Sequence, residues 1–127
     1  MDKIRVIEKN GVTVLILTGA VAEGQTAIAR LDSFVQGLLA GGENIKVVVD
    51  LSGAYHLTYI ARGLLLFCAL SLRERGRGNL KLAEVSGTLR TELGDMINLI
   101  GTYPTVDEAI VAFASPSSPT TPATKSA

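Results

Sequence analysis

Side chains that could carry out chemistry are few and scattered in this chain of 127 residues. His56 is the single histidine and Cys68 the single cysteine. Neither a histidine pair nor a cysteine cluster can therefore bind a metal ion, and no internal disulfide can form. Cys68 lies in an apolar helical pattern, where a buried and unreactive thiol is expected. No two carboxylates are placed together by their spacing. We predict that the chain is not an enzyme and that it needs no cofactor.

Three hydroxyl side chains lie where a predicted strand gives way to a predicted helix. Tyr55, Thr58 and Tyr59 follow an apolar strand that is expected to end in Asp50-Leu51-Ser52, and we predict a short loop here. The N-terminus of a helix has unpaired N–H groups and the positive end of the helix dipole. A hydroxyl at this point either caps the helix or is a place where a phosphate is well tolerated.

The apolar patterns predict one small α/β domain. It should contain a mixed sheet of four to five strands and about four helices, spanning residues 1–114, followed by a disordered Pro/Ser/Thr-rich tail over 115–127. Ser86 and Thr105 are expected to cap helices. We predict a hairpin over 3–18 that turns at Asn10-Gly11, helices over 25–39, 60–75, from 86 to beyond 97, and 105–113, and strands over 45–51 and 80–85.

The overall composition argues against two classes of partner. The formal net charge is zero, which gives no electrostatic basis for binding nucleic acid. The longest apolar run is Leu64 to Leu70, far short of the roughly 20 residues that a membrane-spanning helix needs. We therefore expect a cytoplasmic protein without membrane insertion.

The second predicted helix has more apolar surface than one buried face requires. A helix with one buried face needs an apolar stripe of a little over 100°, and this helix has about twice that. Either it lies between the sheet and a neighbouring helix, or its second flank contacts a partner protein. The polar stripe contains Arg62, Ala69 and Arg73, one apolar flank contains Gly63, Leu64, Phe67 and Leu70, and the other contains Leu65, Cys68 and Leu72.

Four segments of the chain together resemble a known family. The strand "VVVDLSG" with its following helix ending in "LRERG" resembles the STAS domain of bacterial anti-sigma-factor antagonists. The segments "VTVLILTGAVAEGQTAIARL", "LKLAEVSGTLRTEL" and "YPTVDEAIVAF" resemble other parts of that domain, in the same order. The resemblance covers about residues 3 to 113.

This resemblance implies a regulatory function by protein binding. In the family, a serine before the second helix, in a motif like Asp-Ser-Ser-Gly-x-Gly, is phosphorylated by an anti-sigma kinase. The unphosphorylated domain binds that kinase and releases a sigma factor. The expected partner is thus an anti-sigma factor or serine kinase. Two alternatives are a scaffold protein of the stressosome type and an accessory subunit of a lipid-transport ATPase. Formation of a homodimer is a further alternative.

The chain departs from the family motif at the phosphorylated serine. Without a gap, that serine falls on Tyr59, whereas a slip of one residue places Thr58 at the acceptor position. Thr58 is therefore either the phosphoacceptor of a variant switch or only a helix cap in a constitutive binding module. We expect a Thr58→Glu variant to bind its partner more weakly. The residues predicted to contact the partner are Tyr55, His56, Tyr59, Arg62, Leu65 and Cys68.

Overall fold

The computed structural model describes residues 4–21, 24–76 and 78–114 of the chain. The predicted disorder of the tail, 115–127, lies outside the described residues, as does the start of the domain at residues 1–3. In chain order the elements are β1 (Ile4–Lys9), β2 (Val12–Val21), α1 (Gln25–Ala40), β3 (Ile45–Leu57), α2 (Tyr59–Glu74), β4 (Gly78–Ala83), α3 (Gly87–Leu93), α4 (Met96–Ile100), β5 (Thr102–Tyr103) and α5 (Val106–Ala114).

The strands form one mixed sheet in the order β1-β2-β3-β4-β5, which confirms the predicted α/β class. β1 and β2 are antiparallel, and β2, β3, β4 and β5 are paired in parallel. The hairpin turns at Asn10 and Gly11, which have φ values of 53° and 79°. Because both central residues have positive φ, the turn matches the right-handed twist of the two strands.

Helices cover both faces of the sheet. Alternate residues of β2 and β3 point to opposite faces, as they must in a strand. On one face Leu15 and Val49 pack with α1, α2, α3 and α4 in the larger apolar core. On the other face Val14 and Val48 pack against α5 in a smaller core. The parallel strands are therefore buried on both sides, which explains the nearly continuous apolar run of β3.

The expected loop after Ser52 is a continuation of the strand, so this prediction is wrong. β3 runs for 13 residues, to Leu57, and only Thr58 separates it from α2. The pairing of β3 with β2 shifts register twice, between Ile16 and Thr18 and again between Gly19 and Ala20 of β2. Each shift adds one unpaired residue to β3, and such bulges interrupt the two-residue alternation by which a strand is recognised.

The predicted third helix is two short helices. α3 ends at Gly94, whose φ of 58° is in the left-handed region that favours glycine, and α4 follows after Asp95. Ser86 caps α3 by accepting a hydrogen bond from the N–H of Leu89 at 3.2 Å. Both predicted caps are confirmed, since the hydroxyl of Thr105 accepts from the N–H of Glu108 at 3.1 Å.

Arg73 joins the C-terminal end of α2 to two other elements. Its Nε donates to Asn79 Oδ1 at 2.9 Å, Nη2 donates to the carbonyl oxygen of Ile100 at 2.6 Å, and Nη1 donates to the carbonyl oxygen of Leu99. The planar guanidinium thus caps the last carbonyl groups of α4 while holding a residue of β4.

Candidate functional site

The β3–α2 junction, defined here as residues 55–62, places Thr58 at the N-cap of α2. The Thr58 hydroxyl accepts a hydrogen bond from the N–H of Ala61 at 3.2 Å. The Thr58 N–H donates to the carbonyl oxygen of Val21 at 3.3 Å. The capping role expected from the sequence is confirmed. Phosphorylation of Thr58 stays a prediction.

A carboxylate from α3 ties the junction together. Glu92 Oε2 lies 2.6 Å from His56 Nδ1, and Glu92 Oε1 accepts a hydrogen bond from the N–H of Leu57 at 2.6 Å. Arg62 Nη1 donates to the backbone carbonyl of Glu92 at 3.0 Å. His56, for which the sequence indicated no partner, is therefore paired. Glu92 is 35 residues from Leu57 in the chain, and no local pattern signals such a contact.

The surroundings of Glu92 favour its ionised form. Burial by itself raises the pKa of this carboxyl, but the hydrogen bonds from Leu57 and His56 and the electrostatic interactions with His56 and Arg62 lower it, and they prevail. The pKa of Glu92 therefore lies below the ordinary value for a glutamate. A charged acceptor makes the two short hydrogen bonds stronger than neutral ones.

Two aromatic rings stand out from the junction. Tyr55 is 66% exposed and Tyr59 is 82% exposed. The guanidinium carbon of Arg62 lies 5.9 Å from the centre of the Tyr59 ring, within the range of a cation–π contact. Exposed aromatic and arginine side chains are typical of protein interfaces. Contact of these residues with a partner stays a prediction.

Leu65 and Cys68 lie in the core, so their assignment as partner-contacting residues is wrong. Both are 0% exposed and pack on the sheet side of α2. Burial raises the pKa of the Cys68 thiol to about 11, which agrees with the expected inert thiol. Ala69, assigned to the polar stripe, is also fully buried. The helix packs on α1 as well as on the sheet, which accounts for part of its apolar surface.

The exposed apolar side of α2 lies on the opposite face of the helix from Leu65 and Cys68. We call it the α2 stripe and define it as Ile60, Gly63, Phe67 and Leu70. Phe67 is 50% exposed, and Ile60 and Leu70 are exposed to nearly the same degree. The spacing of three, four and three residues places all four on one side of the helix. Exposed apolar side chains gathered on one side of a helix are a feature of protein interaction surfaces.

A groove opens beside the α2 stripe, between α2 and the α3–α4 pair. Its volume is about 370 Å³. Most of its wall is apolar, and Arg62 is the one charged residue among those that line it. The lining residues are Tyr59, Ile60, Arg62, Gly63, Leu66, Leu93 and Met96.

The described part of the chain contains no group of three or more His, Cys, Asp or Glu side chains that could hold a metal ion. Within the same residues, no helix is both long and apolar enough to cross a membrane.

Comparison with solved structures identifies the fold. A STAS-domain protein from Planctomyces limnophilus superimposes with a TM-score of 0.72 at 23% identity, over 88% of this chain and 98% of that one. The chain has the STAS fold. A candidate anti-sigma-factor antagonist from Thermotoga maritima gives a TM-score of 0.74 at 16% identity, over 88% of this chain and 95% of that one.

The STAS fold recurs in a third solved structure of similar size. An anti-sigma-factor antagonist from Mycobacterium paratuberculosis gives a TM-score of 0.69 at 19% identity, over 88% of this chain and 93% of that one. The sequence matches no protein-family model and no curated protein. The structural likeness thus confirms the STAS architecture that the sequence segments resembled.

Proposed function

We propose that this STAS domain is a regulatory module that binds another protein through the β3–α2 junction and the α2 stripe. The expected partner is an anti-sigma factor or serine kinase, as the solved structures named as anti-sigma-factor antagonists suggest. The observation that carries the proposal is the placement of Thr58 between two exposed aromatic residues, Tyr55 and Tyr59, at the start of α2. Any charge added there lies inside the proposed contact surface.

Phosphorylation of Thr58 is the proposed means of control. A phosphate adds close to two negative charges, and the Glu92 carboxylate already binds the amide of Leu57, the residue before Thr58. A phosphate next to a carboxylate is repelled by it, and burying the phosphate in an interface is costly. The modification should therefore end partner binding.

Substitution at Thr58 tests the proposal against a chemically matched site. Binding is measured between the purified domain and the serine-kinase anti-sigma factors encoded by the same genome. Thr58→Ala should bind as the natural protein does and lose about 1 kcal/mol of stability with its cap. Thr58→Glu should bind about tenfold more weakly or worse, a loss of about 1.4 kcal/mol.

Thr105 is the matched control because it also caps a helix with its hydroxyl but lies at the start of α5, which covers the other face of the sheet. Thr105→Glu should leave partner affinity unchanged. Equal affinity in the Thr58→Glu and Thr58→Ala variants would contradict the switch. Intact-mass measurement with site mapping, on protein from growing and stressed cells, tests directly whether Thr58 carries a phosphate.

A constitutive scaffold or an accessory subunit of a transport complex is the second candidate. The observation in its favour is that the Thr58 hydroxyl is already engaged as a helix cap. A single unmodified mass under every growth condition, together with partner binding that survives Thr58→Glu, would support this candidate.

A further inference from the structure

The groove between α2 and the α3–α4 pair combines an apolar wall with a single cation. Leu66, Leu93 and Met96 contribute apolar atoms, and Ile60 forms part of the wall. A pocket with this lining and a volume of about 370 Å³ accommodates a large apolar side chain. Apolar pockets of this kind are where the anchoring residues of a protein partner are usually found.

Arg62 has donor capacity that the described residues do not use. Nη1 is held by the backbone carbonyl of Glu92, which fixes the guanidinium in place. Nε is buried and has no acceptor among the described residues. Nε is too buried for a group from outside to reach, but the guanidinium is the one positive charge among the residues that line the groove, so a partner group of opposite charge complements it. Because a guanidinium pairs best with a planar anion, a carboxylate is the fitting group.

Gly63 keeps the groove open. A Cβ atom at this position would have no atom packed against it within 4 Å. Gly63 occupies the interior of α2, where glycine is less favourable than alanine. Gly63 lines the groove, so a larger side chain at this position would extend into it.

We infer that this groove receives an apolar side chain of a partner protein while a neighbouring carboxylate of the partner binds Arg62. This inference rests on the proposed function and specifies the chemistry of the partner. A second copy of the chain is the alternative occupant, and its binding would make self-association depend on Gly63.

Peptides of random sequence, displayed and selected for binding to the intact chain, provide the probe. We expect the selected peptides to share a Leu, Phe, Ile or Met close to an Asp or Glu. Their synthetic versions should bind at least about tenfold more weakly when the carboxylate is replaced by its amide, because the guanidinium then loses its charged acceptor.

Two glycine substitutions show whether the groove is the site. Gly63→Leu should fill the groove and weaken the selected peptides at least about tenfold. Gly37→Leu is the control, since Gly37 is also an exposed glycine in a helix interior with no atom packed within 4 Å, but it lies on α1. Thermal unfolding should show both variants folded.

Each alternative to this inference predicts a different result of the peptide selection. Peptides without a shared acidic residue, or peptides that bind Gly63→Leu and the natural chain equally, would overturn the inference. If such peptides perturbed the amide resonances of other parts of α2 or of the junction, the proposed protein-binding function would survive without the groove. Concentration-dependent self-association abolished by Gly63→Leu would overturn the inference in favour of a dimer. Selection that yields no binding peptide would count against both proposals.

Discussion

Glu92 closes the end of β3 by accepting the amide proton of Leu57 at 2.6 Å. Leu57 lies beyond the paired part of β4, because the pairing of β3 with β4 ends at Asp50 and Ala83. A side chain therefore takes the hydrogen bond that a neighbouring strand would otherwise provide. The same carboxylate also holds His56, and the backbone carbonyl of Glu92 holds Arg62, so hydrogen bonds to this one residue join α3 to the end of β3 and the start of α2.

Replacing Glu92 should destabilise the fold by an amount that depends on the substitute. Glu92→Gln keeps one oxygen for the Leu57 amide and loses the charge, so we expect a loss of about 1 kcal/mol. Glu92→Ala leaves the Leu57 amide without its acceptor and should cost about 1–3 kcal/mol. Urea unfolding measures both. Glu43→Gln, at an exposed position, is the control and should change little. Equal stability of Glu92→Ala and the natural chain would show that this contact contributes nothing.

The stabilisation that Glu92 contributes should decrease as the pH falls. Its pKa is lower in the folded chain than the ordinary value, and an unfolded glutamate titrates at about 4.3. The unfolded chain thus takes up the proton first as the pH falls. The contribution should be fully present above about pH 5 and disappear as the pH drops through the folded pKa.

The measurement is the difference in unfolding free energy between the natural chain and Glu92→Gln, followed from about pH 7 down to about pH 3. This difference should shrink below about pH 5. A difference that grows on acidification would mean that the Glu92 pKa is raised by folding, contrary to its surroundings.

Arg73→Lys should lower the free energy of unfolding, although both side chains carry a positive charge. Lysine has one nitrogen and cannot serve Asn79, Leu99 and Ile100 together, as the guanidinium does. We expect a loss of about 1 kcal/mol, since the donors of a single ammonium nitrogen cannot reach all three of these acceptors in the geometry that the guanidinium provides.

Arg75→Lys provides the comparison for Arg73→Lys, because Arg75 is exposed and lies one residue beyond the end of the same helix. The measurement is the midpoint of thermal unfolding. Matching midpoints for the two variants would show that the three hydrogen bonds of the Arg73 guanidinium do not stabilise the fold.

Features set by local chemistry could be predicted from the sequence. Asn10-Gly11 specifies its turn, Ser86, Thr105 and Thr58 cap their helices, and apolar spacing locates α1 and α2. Each depends on residues within a few positions of one another, which is why a single sequence is sufficient.

Features set by distant contacts could not be predicted. The bulges of β3 depend on pairing with β2, so the sequence alone predicts a loop after Ser52, where the strand in fact continues. The choice between the two apolar flanks of α2 depends on where the sheet and α1 lie, which is why Leu65 and Cys68 were assigned to the wrong side. The position of Glu92 depends on the packing of α3.

The unequal lengths of the strands leave the last residues of β3 with only one strand neighbour. Hydrogen exchange at the Leu57 amide therefore reports on a single side-chain contact instead of on the sheet as a whole. Any event that draws Glu92 away, such as a phosphate on Thr58 or the docking of a partner against α3, would expose this proton to solvent while the central amides of Val47 and Val49 stay protected. Exchange at this one amide therefore reports the state of the junction before any partner is known.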